Sequence, residues 1–163
     1  MPASSHDPAP LAGRVAIVTG IDSDRACAIA LALGAAGMSV ALVGPTSDAV
    51  EDAAARIAFD GGRAFGFALR GEDPAAVARL VAHVEQRLGP IDLLVHGGGA
   101  GGEALRGALR PAMVARGRGL LIDAAADAEA HAVDDAPGVV TLALAGGSSA
   151  HAAAERVVAL ARS

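Results

Sequence analysis

The 163-residue sequence contains no tyrosine, no tryptophan and no lysine, and a single cysteine. With three Phe as the only aromatics, a core must be assembled from Ala, Val, Leu and Ile, which favours tight packing of helices on a sheet. Without lysine, all 13 basic residues are arginine; they are scattered singly, and the formal net charge is −5. That pattern excludes the basic stripe by which a domain attracts nucleic acid or anionic lipid. One cysteine excludes an intramolecular disulfide, and the Ala/Ile/Leu-rich surroundings of Cys27 predict a buried thiol in a reducing, cytoplasmic setting. No apolar run reaches membrane-spanning length, and Met1 to Pro10 is polar and Pro-rich, with neither a basic leader nor an apolar stretch. Residues 1–12 therefore read as a disordered lead-in to one domain, 13–163. The 53% hydrophobic content is ample for the core of such a domain.

What is present alternates. Short apolar runs and helical patterns follow one another from Gly13, the signature of β-α units stacked around a parallel sheet. The expected architecture is a doubly wound α/β fold of about six strands. A strand over Val15 to Thr19 precedes a helix ending near Gly37, whose missing side chain suits a left-handed stop. The second strand is Ser39 to Val43, and Thr46 or Ser47 can cap a helix carrying Val50, Ala54 and Ile57. Arg63 to Leu69 reads as the third strand. Asp73 and Pro74 open a helix with Val77, Leu80, Val81, Val84 and Leu88 on one face, closing at Gly89-Pro90. Strands over Ile91 to Val95, Leu120 to Ile122 and Val139 to Ala145, a short helix over Leu105 to Arg116 and a last helix over Ala150 to Arg162 complete the pattern. Ala124 to Pro137, rich in Ala and Asp, is expected to hold at most a short helix. No internal repeat or second domain is visible.

Taken in order, GRVAIVTG (Gly13 to Gly20), the Ala-rich helix after it, GEDPAAVARLVAHVEQRLGPIDLLVHGGG (Gly71 to Gly99) and RPAMVARGRGLLI (Arg110 to Ile122) resemble the short-chain dehydrogenase/reductase family. The resemblance implies a Rossmann-like fold, here truncated: the chain is expected to stop after the penultimate helix, without the family's final strand and substrate-facing segment. In that family the first strand leads into T-G-x-x-x-G-x-G, whose glycines admit a cofactor pyrophosphate to a helix N-terminus. Thr19 and Gly20 match, whereas Asp24 and Ala26 stand at the later glycine positions. A carboxylate at Asp24 opposes a dianionic pyrophosphate, and Asp22-Ser23-Asp24 reads as a helix cap. After the second strand, Gly44 and Pro45 offer no side chain to a ribose or its phosphate. Arg70 replaces the Asp expected to face adenine, and is either a solvated loop residue or an anion contact.

The family's Asn-Asn-Ala-Gly is replaced by His96-Gly97-Gly98-Gly99 at the topological switch point, where open α/β sheets bind ligands. This loop reads either as flexible or as a cradle for an anion. It also resembles the oxyanion loop of some esterases, but the companion G-x-S-x-G elbow is absent. Thr19, Gly20, Gly97, Gly98 and Gly99 are thus the degenerate remnant of a cofactor site, and NAD(P) binding is expected to be weak or lost. The Tyr, the Lys four residues later and the Ser by which family members move a proton to or from substrate oxygen imply the decisive departure. The chain has no Tyr or Lys, and the Ser position falls within Ala124 to Ala126.

Other constellations carry less. His6, His83, His96, His131 and His151 form no H-x-x-x-H pair, so no metal is expected. His83 reads as a helix-surface residue. Gly146-Gly147-Ser148-Ser149 could cradle an anion, but serine capping of the last helix explains it without a ligand. Asp123, at the end of the fifth strand, could pair with His96 for acid/base work. Three functions follow from the residues: a non-catalytic subunit or scaffold, a ligand-binding module at the switch point, and a remodelled enzyme using His96 and Asp123. The first predicts an oligomer with itself or with a full-length family relative, on the argument that an abbreviated helix before the fifth strand and a shortened or lost one after it leave a sheet face partly uncovered. No nucleic acid or membrane partner is expected.

Overall fold

Strand and helix alternate because each apolar run is cut by a cap or a glycine. The computed structural model describes residues 11–71, 73–98, 101–124, 131–136 (backbone alone), 139–144 and 149–162. Its elements are β1 (Val15–Thr19), α1 (Asp24–Ala35), β2 (Ser39–Gly44), α2 (Ser47–Phe59), β3 (Arg63–Ala68), α3 (Pro74–Leu88) and β4 (Leu93–His96), followed by α4 (Gly102–Arg116), β5 (Gly119–Asp123), β6 (His131–Ala136), β7 (Val139–Ala143) and α5 (Ala150–Arg162). Caps start the helices as their side chains require: Ser23 accepts from Ala26 N at 3.1 Å, Asp73 from Ala75 N at 3.3 Å ahead of Pro74, and Ser149 from Ala152 N at 3.1 Å. Gly37, at φ 101°, turns the chain from α1 into β2.

The strands form one sheet in the order β3-β2-β1-β4-β5-β7-β6, six of them parallel and β6 antiparallel to β7. Alternation divides the core. Ala16, Val18, Val40, Leu42, Val95 and Ile122 pack with α1, α2 and α5, whereas Val15, Ile17, Ala41, Val43, Leu94 and Leu121 pack with α3 and α4. Each branched side chain buried this way stabilises the fold by roughly 1.5–3 kcal/mol. The doubly wound Rossmann-like sheet is thus the expected architecture.

Four local expectations need correction. The Ala124 to Pro137 stretch holds strand β6 where at most a short helix is expected, with a register shift between Val133 and Ala136. Helix α4 is not abbreviated: it starts at Gly102 and runs for 15 residues despite Pro111. The domain is packed from Leu11 rather than Gly13, since Leu11 is fully buried and its N–H donates to Ala36 O at 3.1 Å; residues 1–10 lie outside the described residues. Cys27 is half-buried rather than buried, with Arg56 Nη1 donating to its sulfur at 3.5 Å.

The face expected to be uncovered is also displaced. On the α3/α4 side, Val139, Thr141 and Ala143 of β7 are buried, whereas Val140, facing the α5 side, is 49% exposed. Among the described residues no helix is long and apolar enough to cross a membrane.

Candidate functional site at the sheet switch point

Strand order reverses at β1: β2 lies on one side and β4 on the other. At this switch point, the place where open α/β sheets bind ligands, the loops after β1 and β4 leave adjacent strand ends. Their approach is close. Gly20 has φ 74°, and a Cβ there would lie 2.5 Å from the Gly97 carbonyl carbon. At Gly97 a Cβ would lie 2.5 Å from both the Ala26 methyl and Thr19 O. Gly97 N donates to Thr19 O at 3.1 Å, closing the two loops on each other. Ala26, which stands at a family glycine position, thus finds its space because Gly97 has no side chain. Two departures that look independent in the sequence are one packing contact.

Cross-strand register aligns Thr19, His96 and Asp123 as neighbours on β1, β4 and β5. By alternation this row faces α3 and α4. Thr19, 1% exposed, shares a 2.9 Å hydrogen bond with His96 Nδ1. The imidazole lies against the start of α4, where a Cβ on Gly102 would come within 2.0 Å of Nδ1. This contact explains why α4 begins on glycines: Gly101, at φ 94°, is its cap residue, and Gly102 leaves room for the ring.

A cleft of about 370 Å³ opens at the β1 and β2 ends, lined by Gly20, Asp22, Gly44, Pro45, Arg70 and Gly98 among others. Arg70 is exposed, and its Nε donates to Pro45 O at 3.2 Å, so it bridges the loops after β2 and β3 at the cleft margin. The structure thus brings Gly20, Gly97 and Gly98 together, with Gly20 and Gly98 lining the cleft. His96 is not among the lining residues, being held by Thr19 behind Gly97. Gly99 lies outside the described residues. Asp24 is exposed in the first turn of α1, where Ser23 makes the cap bond. His83 is exposed on α3 with its ring 5.3 Å from that of Phe67. Among the described residues no three His, Cys, Asp or Glu side chains are grouped to hold a metal ion.

Comparison with known proteins agrees with this geometry. A family model described as short chain dehydrogenase matches residues 14–123. The chain is 28% identical over 102 residues to 2,3-dihydro-2,3-dihydroxybenzoate dehydrogenase of Bacillus subtilis, covering 63% of this chain and 36% of that one. It is 37% identical over 89 residues to D-threitol dehydrogenase of Mycolicibacterium smegmatis, covering 55% and 34%. The matched part spans about a third of these curated relatives. Among solved structures, a metagenomic short-chain oxidoreductase in complex with NADP has the same fold at a TM-score of 0.79 and 23% identity, with 94% of this chain and 92% of that one covered.

Proposed function

From the fact that this chain belongs to the short-chain dehydrogenase family, with two thirds of its length matched, we propose that it is a non-catalytic member acting as a subunit or scaffold beside an active relative. The observation that carries this reading is the complete absence of Tyr and Lys from the chain. The resemblance implies that those two side chains move the proton in the family's reaction, and no other residue type supplies a phenol and an ammonium in their place. The segment after β5, where the resemblance puts their helix, carries strand β6. The relatives named above are dehydrogenases, so the proposal separates this chain from them by chemistry while keeping it with them by fold.

The residues lining the cleft argue against a nicotinamide dinucleotide, although Arg70 among them is cationic. Gly20 and Gly98 allow backbone to approach a ligand, but Asp22 lines the cleft and Asp24 places a second carboxylate at the α1 N-terminus. Gly44 and Pro45 provide no ribose-binding side chain. The neighbour solved with NADP belongs to the same fold, and the 370 Å³ cleft supports a second reading, in which a smaller nucleotide-like ligand is held without turnover.

Subunit contact is supported by the outer face of α4. Gly107, Ala108, Pro111, Ala112, Val114 and Ala115 are all exposed there, a small, weakly polar surface on which a second helix can pack closely. The test is a panel of alcohols and ketones with NAD(H) and NADP(H). The pure chain should give no turnover, and turnover that disappears on mutation of His96 or Asp123 would overturn the proposal in favour of a remodelled enzyme.

A further inference from the structure

We infer that a second cavity, at the opposite ends of the strands from the cleft, binds a small aliphatic carboxylate. The cavity measures about 320 Å³ and lies at the N-terminal ends of the strands, where Arg14 precedes β1, Asp92 precedes β4 and Arg118 precedes β5. That volume is at the lower end of the range for small-molecule sites.

Its floor is apolar because of register. Leu93, Leu120 and Val140 are paired across β4, β5 and β7, and Leu142 lies two residues further along the same face of β7. Leu160 of α5 forms part of the wall. Val140 is 49% exposed where a β-branched residue in the body of a sheet would ordinarily be covered, so α5 stops short of this corner. An aliphatic chain laid here would remove apolar surface from water on both itself and the sheet.

The rim is cationic. Asp92 is satisfied at both oxygens: Val15 N donates to Oδ2 at 3.1 Å and Arg118 Nη2 to Oδ1 at 2.9 Å. Arg14 Nη1 donates to Ala161 O, at the end of α5, at 2.6 Å. These bonds occupy one terminal nitrogen of each arginine, and a guanidinium has five N–H donors. Both therefore keep donors for a further acceptor, and among the described lining residues two positive charges stand against one negative. A planar carboxylate is the anion that a guanidinium fork matches best. Apolar floor and cationic rim together specify a carboxylate with a short hydrocarbon tail. The proposal is independent of whether the chain is catalytic, since the cavity shares no residue with the cleft.

Titration calorimetry with sodium octanoate, and with 1-octanol as its neutral counterpart, tests the assignment. Octanoate should bind saturably and more tightly than octanol. Arg118→Gln should weaken octanoate about tenfold, the scale of one charge-assisted hydrogen bond, and leave octanol unchanged. Val140→Phe, which fills the floor, should weaken both. The Arg118 side chain is 65% exposed and Val140 49%, and Gln can still donate to the mostly buried Asp92; circular dichroism and thermal melts check that each variant is folded. Absence of saturable octanoate binding, equal binding of the two probes, or binding indifferent to Val140→Phe overturns the proposal.

Discussion

At Gly97 a single methyl group has nowhere to go. Its Cβ would meet the Ala26 methyl on one side and the Thr19 carbonyl on the other, each at 2.5 Å. Gly97→Ala should therefore cost about 1–3 kcal/mol, the usual range for overpacking, seen as a lowered midpoint in urea unfolding. Adding Ala26→Gly should recover only part of the loss, because the Thr19 contact is backbone and cannot retreat. A related substitution tests the electrostatic reading of the cleft. Asp24→Gly with Ala26→Gly should tighten NADP binding measured by calorimetry, since it removes a carboxylate from the α1 N-terminus and restores the family's glycines. Unchanged or weaker affinity would show that the acid is not what opposes the cofactor. The sequence exposed each of these residues as a departure from the family pattern, but not that Ala26 and Gly97 touch. That required the loops after β1 and β4 to be brought face to face, a contact between residues 71 positions apart.

Elements whose signals are local were readable in the sequence; those decided by distant partners were not. Helix α3 announces itself through Asp73, Pro74 and an apolar stripe, and it lies where those residues put it. Helix α1 depends on its cap in the same way, so Ser23→Ala should lower stability by about 1 kcal/mol, read as a fall in Tm. Strand β6 has no such signal. HAVDDA lacks period-two alternation because its ladder with β7 is irregular between Val133 and Ala136, and a shift of one residue scrambles the in-out pattern. The first turn of α4 was hidden for another reason. Consecutive glycines read as a loop, whereas Gly102 is required there by the His96 ring packed against it. The row Thr19–His96–Asp123 is foreshadowed only as a pair at strand ends; a 2.9 Å hydrogen bond joins His96 to Thr19, a partner that the spacing alone does not reveal.

For the molecule as a whole, the proposal of a partnered subunit makes a prediction about size. Light scattering of the chain alone and co-expressed with a full-length relative should give a species heavier than one 15.9 kDa chain, and a stable monomer that captures no relative would defeat it. The choice of α4 as the contact face is separable: Ala112→Glu on its exposed side should dissociate the complex while leaving the circular dichroism spectrum of the folded chain unchanged. One further consequence comes from the seam between the first and last helices. Leu33 and Ala30 of α1 share their core with Val157 and Ala161 of α5, and Arg14 reaches across 147 positions to the carbonyl of Ala161. On a ribosome α5 emerges after every other described element. While the chain is being synthesised, β1 can pair with β2 early, but its other flank waits for β4 and the apolar side of α1 waits for α5. Until β4 is made β1 keeps one unpaired flank, and until α5 is made α1 keeps an uncovered apolar face, so the incomplete domain exposes the surfaces that invite aggregation.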